Sequence, residues 1–353
     1  MGEKVLMKGN EAIAEAAIRA GCRYFFGYPI TPQSELPAYL ARKFPEVGGT
    51  FLQAESEVAA SNMIYGAAGA GARVLTSSSS PGISLKAEGI SYIAGAELPA
   101  VIINIMRGGP GLGSIQPSQA DYFQATKGMA HGDFSLTVLA PSTVQEAVDL
   151  TMEAFEIADR YRNPVLLVGD GIIGQMMEPV EFKEAIDPDE LPKKEWATDG
   201  AKGREPNVIN SLALEPEDLE DHNMKLKAKY DKMKEEEVRY EELYTDDADI
   251  IIVAYGTTAR ISSRAIEMAR KEGYKVGMIR PITLFPFPTD IINETADRVD
   301  DFLAVEMSTG QMVEDVRLAV NGKKPVHFYG RTGGVVPSPE EIVNKIKEIG
   351  GEK

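Results

Sequence analysis

The chain has 353 residues, of which 43% are hydrophobic and 26% charged, a balance that fills about two globular domains and excludes whole-chain disorder. Its 37 basic and 54 acidic side chains leave a net charge of −17, so the basic footprint of a nucleic-acid binder is missing. Mean hydropathy is −0.18, and the longest apolar run, residues 98–106, is too short to span a bilayer.

The N-terminus, MGEKVLMKGNEAIAEA, carries no apolar signal core and no small-residue cleavage site, which predicts a cytoplasmic protein. A short strand over 5–7 leads into an alanine-rich helix over 10–20, with Asn10 as its N-cap. The single cysteine, Cys22, excludes an internal disulfide, and it excludes an iron–sulfur cluster held by this chain alone, which needs about four thiolates. His131, His222 and His327 show no zinc spacing. Redox or metal chemistry must therefore come from a bound cofactor or another chain. Further strands are expected over 24–26, 50–53, 73–76, 100–106, 136–139 and 164–168, with helices after Thr31, over 56–70 and over 143–158. This alternation reads as α/β, a parallel and doubly wound sheet.

Residues 181–250 differ. They hold 11 basic and 22 acidic side chains, and prolines at 188, 192, 206 and 216 break the first part. A polar helix is expected from Glu217 to about Leu243, and the whole reads as an acidic connector with solvated faces rather than a docking site. A second α/β unit follows, with strands over 249–254, 275–279, 302–306 and 326–328 and a helix over 259–273. The segment PITLFPFP (281–288) cannot be regular helix or central strand, because its prolines lack donors.

Several turns invite chemistry. MRGGPGLG (106–113) follows an apolar strand as a dinucleotide loop would. Pro110 and Pro117, however, interrupt the helix such a loop needs, and no acid lies about 20 residues on. There is no P-loop and no GxSxG elbow. GYPITPQSE (27–35) falls at the carboxyl end of a strand, where open parallel sheets bind ligands. Pro29 and Pro32 stiffen it and hold Ile30 and Thr31 in one presentation; the same residues also suit a plain cap and turn, with Thr31 as N-cap. Glu57 opens a helix that soon becomes small and apolar. Burial there raises a carboxyl pKa and lets the group share a proton, although an acid also suits any first helical turn. Glu55 is expected to be the more exposed. TSSSSPG (76–82) offers hydroxyls and amides, or merely a serine-capped helix start. Arg107, ending the most apolar strand, suits a bidentate grip on a carboxylate, or a structural pair with a neighbouring acid.

In this order and spacing, GYPITPQSE, ESEVAA, TSSSSPG, INIMRGGPGLG and HGDFSLTVLAPSTVQEA resemble the α-subunit of 2-oxoacid:ferredoxin oxidoreductases, which are thiamine-diphosphate enzymes. YGTTAR and GYKVGMIRPITLFPFP resemble the transketolase C-terminal-like domain of that family. The resemblance covers nearly the whole chain. It implies two parallel-sheet domains: a thiamine-diphosphate-binding, pyrimidine-type domain over 1–185 and a transketolase C-terminal-like domain over 247–353, joined by the acidic connector over 186–246. GSIQPSQADYFQATKGMAHGD is most similar to the branched-chain (2-oxoisovalerate) members. The alternatives are a pyruvate- or 2-oxoglutarate-specific member, or a non-catalytic scaffold subunit.

The implied reaction is oxidative decarboxylation of a 2-oxoacid with coenzyme A, giving acyl-CoA, carbon dioxide and reduced ferredoxin. Glu57 matches the glutamate that hydrogen-bonds N1′ of the aminopyrimidine and favours its imino tautomer. Thr31 matches a threonine beside the reacting carbon and the substrate. Arg107 matches the arginine that holds the 2-oxoacid carboxylate, and Pro29, Ile30, Ser79 and Gly82 line the cofactor site. His131 lies in a family-like HGD turn, where a turn-stabilising role is expected. The family binds the diphosphate through magnesium at a GDG…N motif. Gly169-Asp170-Gly171 has no suitable asparagine downstream and reads as a structural turn. The resemblance therefore implies thiamine diphosphate shared with a β-subunit that carries the diphosphate and Mg2+ motif. It places the [4Fe-4S] clusters on other subunits and adds γ and ferredoxin-like δ partners. Ferredoxins are usually acidic, so a −17 surface repels them and docking is expected on another subunit.

Overall fold

Two sheets and a two-stranded ribbon organise residues 4–351, which the computed structural model describes. Residues 1–3 and 352–353, the ends of the expected first and last domains, lie outside them. The chain opens with β1 (Val5–Lys8) and α1 (Gly9–Arg19), then alternates β2 (Tyr24–Gly27), α2 (Glu35–Lys43), β3 (Thr50–Gln53), α3 (Glu57–Gly69), β4 (Val74–Ser78), α4 (Pro81–Gly95) and β5 (Ala100–Met106). After a glycine-rich loop come α5 (Tyr122–Thr126), β6 (Thr137–Leu139), α6 (Val144–Tyr161), β7 (Pro164–Asp170), α7 (Gly171–Gln175) and β8 (Met177–Val180). The acidic stretch holds α8 (Pro216–Glu236) and β9 (Tyr240–Leu243). The last third holds β10 (Ile250–Val253), α9 (Gly256–Lys271), β11 (Val276–Pro281), β12 (Thr283–Phe285), α10 (Thr289–Thr295), β13 (Asp301–Glu306), α11 (Met312–Val320), β14 (Val326–Gly330) and α12 (Pro339–Gly350).

The larger sheet has the order β12-β6-β7-β5-β4-β2-β3 and the smaller one β14-β13-β10-β11-β9. In β5 (AVIINIM) and β7 (PVLLVGD) every residue is buried, as expected of strands covered on both faces. Pairing is parallel except at the edges, where β12 runs antiparallel to β6 and β9 antiparallel to β11. The turns that leave β2, β3, β4 and β5 therefore meet at one edge of the larger sheet, the edge where such folds bind ligands.

Two expectations change. Asn10 is not an N-cap: α1 starts at Gly9 with Lys8 in the cap position. The wholly buried Asn10 amide instead donates to Pro32 O at 2.8 Å and to Glu35 at 2.9 Å, which ties α1 to the turn after β2. The connector helix stops at Glu236, well before Leu243, and Tyr240–Leu243 joins the smaller sheet as an edge strand. Nor is α8 solvated all round, because Leu226, Tyr230 and Met233 enter the core beside α1 and α6.

The two units share a core. Ile102, Val138 and Leu166 of the larger sheet pack in one cluster with Ile251, Val253 and Phe302 of the smaller. Gln119 is the polar rivet of that seam. Its Nε2 donates to Tyr255 O at 2.8 Å, and its Oε1 accepts from Met307 N at 2.9 Å and from the Thr258 hydroxyl at 3.1 Å. Leucine at 119 keeps the volume but strands these buried partners. Gln119→Leu is expected to lower stability by about 2–3 kcal/mol, read as an earlier transition in chemical denaturation; an unchanged midpoint contradicts the rivet.

Candidate active site

The edge site begins with Glu57. Ser56 caps α3, its hydroxyl accepting from Ala59 N at 3.1 Å, so Glu57 is the first helical residue. It is 6% exposed, while Glu55 is exposed. The small side chains of α3 let α4 come very close: a Cβ on Gly82 would sit 2.0 Å from Ser78 Oγ and 2.8 Å from Glu57 Oε1. Gly82 is required by that approach. Among the described residues no donor hydrogen-bonds the Glu57 carboxylate. Only the helix N-terminus and nearby positive charge favour it there.

The loop after β4 supplies hydroxyls. Ser77 donates to Gln33 Oε1 at 2.5 Å, and Gln33 is wholly buried. The Gln33 amide nitrogen and the hydroxyls of Ser78 and Ser79 are buried without partners. Ser80 has φ 22° and ψ −80°, a conformation that residues with a Cβ seldom adopt. It is pinned on three sides. Its N–H donates to Asn104 Oδ1 at 3.0 Å, its hydroxyl donates to Asp121 at 2.6 Å, and Arg107 N donates to that hydroxyl at 3.0 Å. Burial pushes the Asp121 carboxyl up, against the bonds from Ser80 and Asn104. Ser80 occupies the cap position of α4 without a capping side chain.

Arg107 joins the two loops. It is 7% exposed, and its Nη1 donates to Thr31 O at 2.9 Å while its Nη2 reaches Leu112 O at 3.4 Å. Its Nε is buried without a partner. Among the described residues no acid pairs with it, so the guanidinium is not the half of a structural ion pair. Thr31 is exposed and does not cap α2, whose cap position is Ser34. Pro29 is exposed and Ile30 half-buried on the same loop. Arg107 and Thr31 are thus brought into contact, as are Glu57 and Gly82, with Ser79 on the loop between them.

The other candidates serve structure. No helix follows MRGGPGLG directly; the loop turns back so that Gly108 N meets Gln116 O at 3.0 Å. Asp170 caps α7, accepting from Ile172 N at 2.8 Å and Ile173 N at 3.3 Å. His131 is exposed in a turn whose carbonyl accepts from the Ser91 hydroxyl at 2.8 Å. Burial pushes the Cys22 thiol up to about 12, which leaves it unreactive. Among the described residues no group of three or more histidine, cysteine or acidic side chains is set to hold a metal ion.

Sequence reading missed Gln33, Lys86, Asn104 and Asp121. Asn104 carried a signal, being a polar residue inside an otherwise apolar strand. Lys86 carried another, one helical turn after Gly82. Gln33 and Asp121 carried none, because their partners come from distant loops.

This architecture has relatives. Residues 15–245 match the family described as "Pyruvate flavodoxin/ferredoxin oxidoreductase, thiamine diP-bdg", and residues 248–342 match "Pyruvate:ferredoxin oxidoreductase core domain II". Ketoisovalerate oxidoreductase subunit VorB of Methanothermobacter thermautotrophicus is 53% identical over 98% of both chains. 2-Oxoglutarate synthase subunit KorA of Archaeoglobus fulgidus is 37% identical over 98% of this chain and 99% of its own. Among solved structures, the 2-oxoglutarate:ferredoxin oxidoreductase from Magnetococcus marinus superposes with a TM-score of 0.88 at 26% identity, covering 98% of this chain and 65% of that one. The chain belongs to the 2-oxoacid:ferredoxin oxidoreductase family.

Proposed function

We propose that this chain is the pyrimidine-binding subunit of a ketoisovalerate-type oxidoreductase. The complex converts a branched-chain 2-oxoacid and coenzyme A to the acyl-CoA and carbon dioxide, and the two electrons released reduce two ferredoxins one at a time. The observation that carries the substrate class is the identity gap, 53% to a ketoisovalerate oxidoreductase subunit against 37% to a 2-oxoglutarate synthase subunit.

The residues present fit a bound aminopyrimidine. Among the described residues, Glu57 is a nearly buried acceptor with no donor, and Gln33 Nε2, Ser78 Oγ, Ser79 Oγ and Arg107 Nε are buried polar atoms without partners. Such atoms are costly in a folded chain unless a ligand satisfies them. Bound thiamine diphosphate supplies the nucleophilic carbon for the acyl group. Glu57 accepts the hydrogen bond from the ring nitrogen and thereby holds the proton balance of the ring. Gly82 and Ser79, with Ile30 and Pro29, would line the site of the ring. Arg107 grips the 2-oxoacid carboxylate and, through Thr31 O, sets the position of Thr31 beside the substrate. That grip must orient the carboxylate without overstabilising the ground state.

Asp170 is committed to α7, which supports a diphosphate and magnesium held by a β-subunit. In the same reading γ and ferredoxin-like δ subunits carry the [4Fe-4S] clusters and receive ferredoxin. No helix among the described residues is long and apolar enough to cross a membrane; the reading places the complex in the cytoplasm.

Reconstitution with the partner subunits tests the proposal. 2-Oxoisovalerate is expected to turn over faster than pyruvate or 2-oxoglutarate, and the reverse order refutes the substrate class. Glu57→Gln is expected to cost a factor of about a hundred or more in kcat, whereas a scaffold subunit would leave the rate intact. Arg107→Met is expected to raise KM for the 2-oxoacid about tenfold or more, through loss of charge-assisted hydrogen bonds. The chain alone, given thiamine diphosphate and magnesium, should show no turnover.

A further inference from the structure

α3 and α4 touch along a stripe. On α4, a Cβ at Gly82 would crowd Glu57, and one at Gly89 would stand 2.3 Å from Ser61 Oγ. Glu57 and Ser61 are one turn apart on α3. Lys86 lies between the two glycines on the stripe, one turn after Gly82. It is fully buried. Its Nζ donates to Thr76 Oγ1 at 2.5 Å, and that hydroxyl in turn donates to Phe26 O at 2.6 Å.

A single hydroxyl does not offset the burial of an ammonium. Among the described residues, the one charge acting on Lys86 is Glu57 on α3; from β4 it meets only the uncharged Thr76. Glu57, for its part, has no hydrogen-bond donor among the described residues. Two buried, oppositely charged side chains, neither of which forms an ion pair among the described residues, thus share one seam. We propose that Lys86 is the counter-charge of Glu57, a positioning residue that never touches the coenzyme but keeps the carboxylate charged and aimed at the aminopyrimidine. This rests on the reading of Glu57 given above. Burial pushes Lys86 down to about 7, against the attraction of Glu57.

Two measurements test it. In the reconstituted complex, Lys86→Met should move the acid limb of the kcat–pH profile upward by about one unit, with activity recovering at higher pH and KM for the 2-oxoacid unchanged. A uniform loss at every pH, or no shift, overturns the proposal. The second measurement uses the full chain without coenzyme. Because burial holds Lys86 below its ordinary value, the unfolded state binds the extra proton from about pH 7 upward, and unfolding free energy rises with pH across that window. Glu57→Gln leaves the packing of Lys86 in place but removes its counter-charge, so the rising window should start at lower pH; an unchanged window overturns the coupling even if Lys86→Met fails to fold. If Glu57→Gln leaves turnover intact, the reading of Glu57 falls and this proposal with it. If Glu57→Gln abolishes turnover while Lys86→Met leaves the limb in place, only the role of Lys86 falls.

Discussion

A buried carboxylate to which no described residue donates is the constraint around which this edge of the fold is arranged. Glu57 occupies the first turn of α3, where the helix N-terminus favours negative charge, but the surrounding small residues strip it of water. Chains seldom tolerate such a group unless something else completes it. Here the glycines of α4 bring a second helix against it, with Lys86 buried one turn after Gly82. Glu57 lies at the edge where the turns leaving β2, β3, β4 and β5 meet.

The remaining parts of the site are held by a network that joins several elements. Arg107 spans from the end of β5 to Thr31 after β2; Ser80 is locked by Asn104 and Asp121 in a backbone conformation it would not adopt alone. Asp121 lies two residues after Gln119, which is riveted to Tyr255 and Met307 of the second unit. The second unit thus braces the first from behind, through a shared core and a buried amide. It also lends β12 to the edge of the larger sheet.

Much of the fold was legible because periodicity records burial. β5 and β7 are apolar runs bounded by turn residues, and they are the central strands. The expected strand over 50–53 has the bounds observed for β3. Legibility failed where one element answers to another far away. The start of α1 was misplaced because Asn10, a good capping residue in isolation, is consumed by Pro32 and Glu35. The end of α8 was misplaced because YEEL pairs with β11, a partner that lies more than 30 residues on and overrides local propensity. The site shows the same division. Thr31, Glu57 and Arg107 stand in recognisable stretches, whereas Gln33 and Asp121 gain meaning only from contacts across the chain.

Sequence alone determined the fold class, the acidic surface, the absence of a thiolate set for a cluster and the resemblance to a thiamine-dependent family, because each depends on composition or on short contiguous strings. Tertiary structure alone decided that α3 and α4 approach so closely at Gly82 and Gly89 and bury Lys86 between those glycines, that Arg107 binds backbone carbonyls rather than an acid, and that Asp170 is spent on a helix cap. These outcomes depend on distances between residues remote in sequence, and a carboxylate or guanidinium takes its role from whatever packing brings within hydrogen-bond reach.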